Sequence, residues 1–370
     1  MQESSSKSAD RLFILLTAIL VIFGLVMLAS ASSPAGYSRF GDSFYFIKRQ
    51  FLFGLLPGLF LFLIFARFKY HLLQKLSWLI YLASLALLVL VFVPGIGLVL
   101  NGSRSWIELF GLSLQPSEFA KLAVVIILAK LLSEGRDLRD WKNGLIPVLA
   151  MLSPAVLLIA AQPDVGTLSI LVVIIFAMLY LADTPKIYLA ILGLIGIVCF
   201  VLMLAVAPDS YRVKRLTTFL HPELDPQGIG YQINQSFLAV GSGGIFGLGL
   251  GHSRQKFQYL PEVQADSIFA VIAEEMGLLV SAALIALITF LGLRGFKIAK
   301  GASDQFGYLL GAGIMIWFVW QSFLNISTTI GLLPLTGVPL PFISHGGSAM
   351  LVMLAAMGTV VGISKYSSYK

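Results

Sequence analysis

Apolar residues in this chain come in long, nearly unbroken runs separated by short polar junctions. Ten such runs stand out, near 12–32, 48–66, 75–93, 116–133, 144–161, 164–182, 187–207, 266–293, 306–330 and 344–364. A run of roughly 18 apolar residues or more is long enough to cross a bilayer as a helix, whereas a membrane barrel needs short segments of alternating polarity. The pattern predicts an all-α, polytopic membrane protein of about ten transmembrane helices. Junctions at 94–95, 162–164 and 183–186 are short and rich in Pro, Asp or Gly, the composition of turns between hairpin helices. The interval 208–265, between the seventh and eighth runs, is too long for a hairpin. Its Tyr211, Phe219, Tyr231, Phe237, Phe246 and Phe257, with the stretch SFLAVGSGGIFGLGLG, predict a large outer loop folded against the bundle. The expected organisation is one membrane domain over 1–370, with a cytoplasmic tail at 1–11 and an extracytoplasmic loop at 208–265.

Composition agrees: 58% of the residues are hydrophobic and 12% charged, against about a quarter charged in soluble domains. Lysines and arginines then orient the bundle. Lys7, Arg11, Arg67, Lys69, Lys75, Arg136, Arg139, Lys142, Lys186, Arg294, Lys297, Lys300, Lys365 and Lys370 fall on one side, against Arg39, Lys48, Arg49 and Arg104 in the short loops opposite. Positive residues of short loops stay inside, so both termini are expected in the cytoplasm. The net charge of +7 reads as topology and headgroup attraction. Lys7 and Arg11 before an apolar stretch ending in LASAS resemble a signal peptide, but that stretch is long and nine more follow, so it is read as a retained first span. The single cysteine, Cys199, excludes an internal disulfide and a cysteine metal cluster.

Three predicted outer helix starts share one design: QPSE at 115–118, QPD at 162–164 and LPE at 260–262. Proline suits the first helical position, and a carboxylate in the first turn meets the positive end of the helix dipole. Such starts are either simple acidic caps, the plainer reading for Asp164, or the walls of a polar cavity that takes an anion. Lys121 shares a helix face with Glu118, so the two form either a structural pair or part of a functional cavity. Glu274 and Glu275 lie deeper in the same run as Asp266. GSGGIFGLGLG at 241–251 follows no strand and is read as a re-entrant or close-packed segment, not a dinucleotide loop. PFISHGGSAM at 341–350 opens the last run, where backbone amides either meet an anion or pack a broken helix end. The four histidines show no metal-ligand spacing, and neither a Ser/His/Asp set nor a Walker loop is present.

The motifs NGSRSWIELFGLSLQPSEFAKLA, QPDVGT, YRVKRLTTFLHPELDPQGIGYQINQS, GSGGIFGLGLGHSRQKFQYLPE, DSIFAVIAEEMG and GLLPLTGVPLPFISHGGSA together resemble the SEDS family of bacterial shape, elongation, division and sporulation proteins. The resemblance runs from about residue 12 to 364, and SRQKFQYLPE leans toward the division branch, FtsW, over the elongation branch, RodA. It implies a ten-helix peptidoglycan glycosyltransferase of the bacterial cytoplasmic membrane. Such an enzyme polymerises lipid II at the outer face, beside a class B penicillin-binding protein and the division or elongation machinery. The family's catalytic aspartate falls on Asp266, and Trp106, Glu118 and Lys121 fall on positions around its central cavity. The remaining candidates for substrate binding are Arg212, Arg215, Gln232, Ser253, Lys256 and Glu262 in the long loop, and Ser344, Gly346, Gly347 and Ser348 at the last helix start. No protein metal site is expected, and a divalent cation such as Mg is the one candidate cofactor. Departures are Ala265 and Ser267 flanking the aspartate in place of Thr and Phe, His345 for a frequent Tyr, and Ser113 where some members carry Arg. The rival readings are a flippase for the lipid-linked precursor and a non-catalytic scaffold. A flippase is expected to carry repeats or a midplane ion site, and the sequence offers no evident repeat.

Overall fold

The computed structural model describes residues 8–100, 103–109, 112–206 and 211–367, without the side chains of 99, 100, 109, 112, 203–206, 211 and 212. In chain order it runs α1 (Arg11–Phe40), α2 (Tyr45–Arg67) and α3 (His71–Leu90). A small sheet follows, β1 (Gly97–Leu100), β2 (Ser103–Leu109) and β3 (Leu112–Leu114). Then come α4 (Pro116–Ser133), α5 (Trp141–Ala161), α6 (Val165–Leu181) and α7 (Lys186–Val206). The long loop contains α8 (Tyr211–Leu220) and α9 (Ile229–Ser242), and α10 (Ile268–Lys300), α11 (Gln305–Thr329) and α12 (Gly347–Ser364) complete the chain. Each of the ten apolar runs is a helix. Seven are long and apolar enough to cross a membrane: α1, α2, α3, α5, α10, α11 and α12. Of the others, α6 is 17 residues long, and α4 places Glu118, Lys121 and Lys130 within 18. The protein is a multi-pass membrane protein.

Packing sorts the helices into centre and rim. The most apolar stretches of α11 and α12 are 78% and 83% buried, against 28% in α2 and α3. α4 is buried along nearly its whole length. These three form the core, and rim helices show lipid an apolar face: on α1, Phe13, Leu16, Leu20, Met27 and Leu28 point inward while Leu15, Ile19, Ile22 and Val26 are exposed. The bilayer solvates that face, so the exposed leucines cost nothing there. Local chemistry sets the helix ends. Asp10 caps α1 by accepting from the Phe13 N–H at 2.9 Å, and Gly41 ends it in the left-handed region. Asp304 caps α11 through the Gly307 N–H at 2.8 Å.

Two features depart from the sequence expectation. Residues 97–114 form a three-stranded antiparallel sheet, with Leu98 opposite Trp106 and Ile107 opposite Leu114. Ile107 is fully buried, and the Ser103 hydroxyl donates to the Gln162 carbonyl at 2.7 Å, fastening the sheet to the turn before α6. The long excursion is built of helices and turns, and LPE at 260–262 does not begin a helix. Pro261, Glu262 and Asp266 all lie in the turns before α10, which starts at Ile268. Glu262 has φ +49°, a left-handed conformation that a helix start does not accommodate. Of the three shared starts, only Pro116 occupies the opening turn of its helix.

Candidate functional site

Asp266 stands at the mouth of the bundle, held by its backbone rather than by its side chain. Its carbonyl accepts from Asn325 Nδ2 at 2.9 Å and from Thr329 Oγ1 at 3.4 Å, both on α11. The residue before it is anchored too, because Ser344 Oγ donates to the Ala265 carbonyl at 2.5 Å. Toward the carboxyl, Ser267 Oγ donates at 3.5 Å, and Gln232 of α9 donates to that hydroxyl at 3.0 Å. The serine in place of the family's phenylalanine thus adds a polar link from α9. Dense packing around the carboxyl pushes the Asp266 pKa up to about 6, with the Glu262 charge adding to the rise and Arg215 opposing it.

Arg215 reaches the same place from α8. Its Nη1 donates to the Leu335 carbonyl at 3.1 Å. A Cβ placed on Gly337 would lie 3.9 Å from Asp266 Oδ2, 3.9 Å from Arg215 Nη2 and 4.0 Å from Arg215 Nη1. Carboxylate and guanidinium therefore converge on the open side of Gly337, a residue whose φ of +73° also favours glycine. Arg212, the other arginine expected here, has its side chain outside the described residues.

Beneath this mouth lies a closed polar layer. Lys121 Nζ donates to Glu118 Oε1 at 2.8 Å and to Gln321 Oε1 at 2.7 Å, and both members of the ion pair are at most 1% exposed. Gln321 also accepts from Trp317 Nε1 at 2.7 Å and donates to the Pro339 carbonyl at 3.0 Å. The pair thus holds the loop that carries Gly337 and is shut away from solvent, with Glu118 Oε2 left without a hydrogen-bond partner.

Several expected ligand groups serve other ends. Ser253 and Lys256 are locked onto the glutamates of α10: Ser253 Oγ donates to Glu274 Oε2 at 2.5 Å, and Lys256 Nζ to Glu275 Oε1 at 2.7 Å. Ser30 of α1 donates to both oxygens of Glu275. Both are buried, so the structure places them in a clamp rather than on a binding surface. At the α12 start, Ser344 Oγ accepts from the Leu340 N–H, Gly346 N–H donates to Gln50 Oε1, and Ser348 Oγ accepts from the Gln115 N–H. These are ties between segments, with Gly347 packed near the Phe53 carbonyl. Trp106 is half-buried on β2, on the sheet rather than in the network around Asp266. Asp164 caps its own helix through the Thr167 N–H and hydroxyl, the plainer of its two readings. Glu262 accepts from Gln264 at 3.0 Å and faces Asp266 electrostatically. His345 donates its N–H to the Gln264 carbonyl at 2.7 Å and packs edge-on against Phe46. Burial and Arg49 lower its pKa to about 4, so its ring is neutral at pH 7.

Sequence reasoning passed over Gln50, Gln321, Asn325 and Thr329. The last three recur every fourth residue in QSFLNISTT, an apolar helix, and that spacing puts them on one face. Among the described residues no group of three or more His, Cys, Asp or Glu side chains is placed to hold a metal ion.

Comparison with known proteins identifies the relatives of the chain and of its fold. The family described as cell cycle protein, FtsW/RodA/SpoVE, matches residues 10–369. Stage V sporulation protein E of Bacillus subtilis is 43% identical over 363 residues, covering 98% of each chain. The probable peptidoglycan glycosyltransferase FtsW of Trichlorobacter lovleyi is 40% identical, over 96% of this chain and 93% of that protein. Among solved structures, a chain of a peptidoglycan synthase complex superposes with a TM-score of 0.78 at 28% identity, over 96% and 97% of the two chains. Rod shape determining protein RodA of Thermus thermophilus does so with a TM-score of 0.71 at 27% identity, over 98% of each. With the motifs, the fold and nearly the whole length in agreement, the chain belongs to the FtsW/RodA/SpoVE family of cell cycle proteins.

Proposed function

We propose that this protein is a peptidoglycan glycosyltransferase that polymerises lipid II at the outer face of the bacterial cytoplasmic membrane. The observation that carries the reading is the convergence of Asp266 and Arg215 at the open side of Gly337. Joining two lipid-linked disaccharides requires a sugar hydroxyl of the acceptor to attack the anomeric carbon of the donor. Asp266 takes the hydroxyl proton as the C–O bond forms, a general-base role worth roughly 10²–10⁴-fold. The bond from the anomeric carbon to the pyrophosphate breaks, and its electron pair leaves on phosphate oxygen, where Arg215 meets the developing charge. A carboxyl with a pKa of about 6 is ionised at neutral pH yet more basic than an ordinary aspartate. A Mg ion needs few protein ligands when phosphates supply others; Glu262 is the carboxylate that would hold one, and it would add positive charge beside the pyrophosphate.

In this reading both termini lie in the cytoplasm, as the short-loop lysines and arginines direct, and residues 208–265 lie outside. A class B penicillin-binding protein cross-links the product, in line with the synthase complex that supplies one of the solved neighbours. The test is purified full-length protein, with and without such a transpeptidase, given lipid II and scored for glycan strands. The wild-type chain is expected to polymerise, and Asp266→Asn to fold and bind lipid II but form almost no polymer. Translocation of lipid II in liposomes without polymer formation would instead establish the flippase reading.

A further inference from the structure

α11 carries a line of polar side chains that the proposed chemistry does not use directly. Gln321 and Asn325 are fully buried and Thr329 is 2% exposed. Each is bonded to backbone that shapes the site. Asn325 Nδ2 donates to two carbonyls on segments far apart in sequence, Asp266 at 2.9 Å and Val338 at 2.8 Å. Thr329 Oγ1 adds a second donor to the Asp266 carbonyl, and Gln321 Nε2 holds the next carbonyl along, Pro339. The two carbonyls of 338 and 339 directly follow Gly337, where carboxylate and guanidinium meet. Neither attached segment is part of a helix or strand, since Asp266 lies in the turns before α10 and Val338 in the stretch before α12. Asn325 Oδ1 is buried with no hydrogen-bond partner. A buried acceptor left unmade is unfavourable, so the amide is kept for its donor end.

We infer that Asn325, supported by Thr329 and Gln321, is a positioning residue: it suspends the Asp266 peptide and the 338–339 backbone from one rigid helix and thereby fixes the carboxylate against the Gly337 gap. The inference rests on the transferase reading. Through Gln321 the same line reaches the Lys121–Glu118 pair. This gives that closed layer a task, bracing the loop from below.

The test compares full-length wild type, Asn325→Leu and Thr329→Val in lipid II polymerisation, with kcat and KM resolved per folded molecule. A misplacement of about 1 Å costs on the order of 10²-fold in rate, so Asn325→Leu is expected to lose kcat on that scale with KM unchanged. Thr329→Val, which removes the longer bond to the Asp266 carbonyl together with the hydroxyl's 2.9 Å bond to the Asn325 carbonyl, should show the same pattern more weakly. An unchanged kcat in Asn325→Leu overturns the inference, as does a rise in KM alone. Should that variant fail to fold, an unaltered kcat in Thr329→Val overturns it. A wild type that makes no polymer at any pH sinks the transferase reading itself, and this inference with it.

Discussion

Most of the carboxylates deep in this protein are fully engaged, and the contrast with Asp266 is what singles it out. Asp164 caps a helix, while Glu274 and Glu275 collect donors from Ser253, Arg254, Ser30 and Lys256. Asp266 has a long hydroxyl contact, a backbone hydrogen bond from its own N–H and an arginine near it beside Gly337. Its raised pKa has a definite sign for stability. A carboxyl higher in the folded than in the unfolded state favours folding when protonated, and that advantage is lost as pH rises from the ordinary range near 4 through about 6. At pH 8 the ionised carboxylate is therefore a burden on the fold. The polymerisation rate of the wild type is expected to rise along an acid limb near pH 6. Asp266→Asn should unfold in detergent at pH 8 no earlier than wild type; clear thermal destabilisation of that variant would mean that the carboxylate has a structural role instead.

At the scale of elements, α10 is the piece that joins the long loop to the bundle, and it does so by breaking. Gly277 has φ +73° and ψ −175° inside the helix. The break frees the carbonyls of Glu274 and Glu275, and the glycine-rich segment supplies their donors, Leu248 N–H at 3.0 Å and Gly249 N–H at 2.9 Å. In return Leu278 N–H donates to the Gly244 carbonyl at 2.9 Å. A Cβ on Gly277 would sit 2.3 Å from the Gly247 nitrogen, so only glycine admits the approach. The Ser253–Glu274 and Lys256–Glu275 contacts then clamp the following residues. Gly277→Ala is expected to spring this segment from α10, with faster proteolysis between 243 and 256 in the detergent-solubilised protein. Unchanged cleavage kinetics would show that the clamp alone holds the loop.

For the whole molecule, the arrangement is a core of α4, α11 and α12 with lipid-facing helices around it and the loop helices α8 and α9 over one end. We propose from the distribution of positive charge that the end carrying α8 and α9 faces out. In a variant whose native cysteine is replaced, Cys199→Ala, new cysteines at Glu223→Cys and Leu250→Cys should react from outside intact cells with an impermeant thiol reagent. One at Glu134→Cys should react only after permeabilisation. All three positions are exposed, and labelling of the last from outside would invert the topology and remove the site from the outer face.

The sequence by itself determined the helical membrane class, the ten segments and the one large excursion. Each follows from a solvent-transfer preference summed over some twenty residues, which no single tertiary contact can overturn. It also marked Asp266 and Glu118–Lys121, because charged side chains in apolar runs are conspicuous. The small sheet was legible in principle, since Asn-Gly between two β-prone stretches is a common hairpin connector. What only tertiary structure decided is which polar groups are free to act. Ser253 and Lys256 look like ligands in a glycine-rich loop until Gly277 turns the helix and presents Glu274 and Glu275 to them. Arg215 and Asp266 are 51 residues apart, and the fold brings both to the side of Gly337. Asn325 is an inconspicuous amide in an apolar helix until two distant carbonyls converge on its one nitrogen. Hydrogen bonds have a reach of about 3 Å and depend on direction, so partners distant along the chain are set by the fold and not by local spacing.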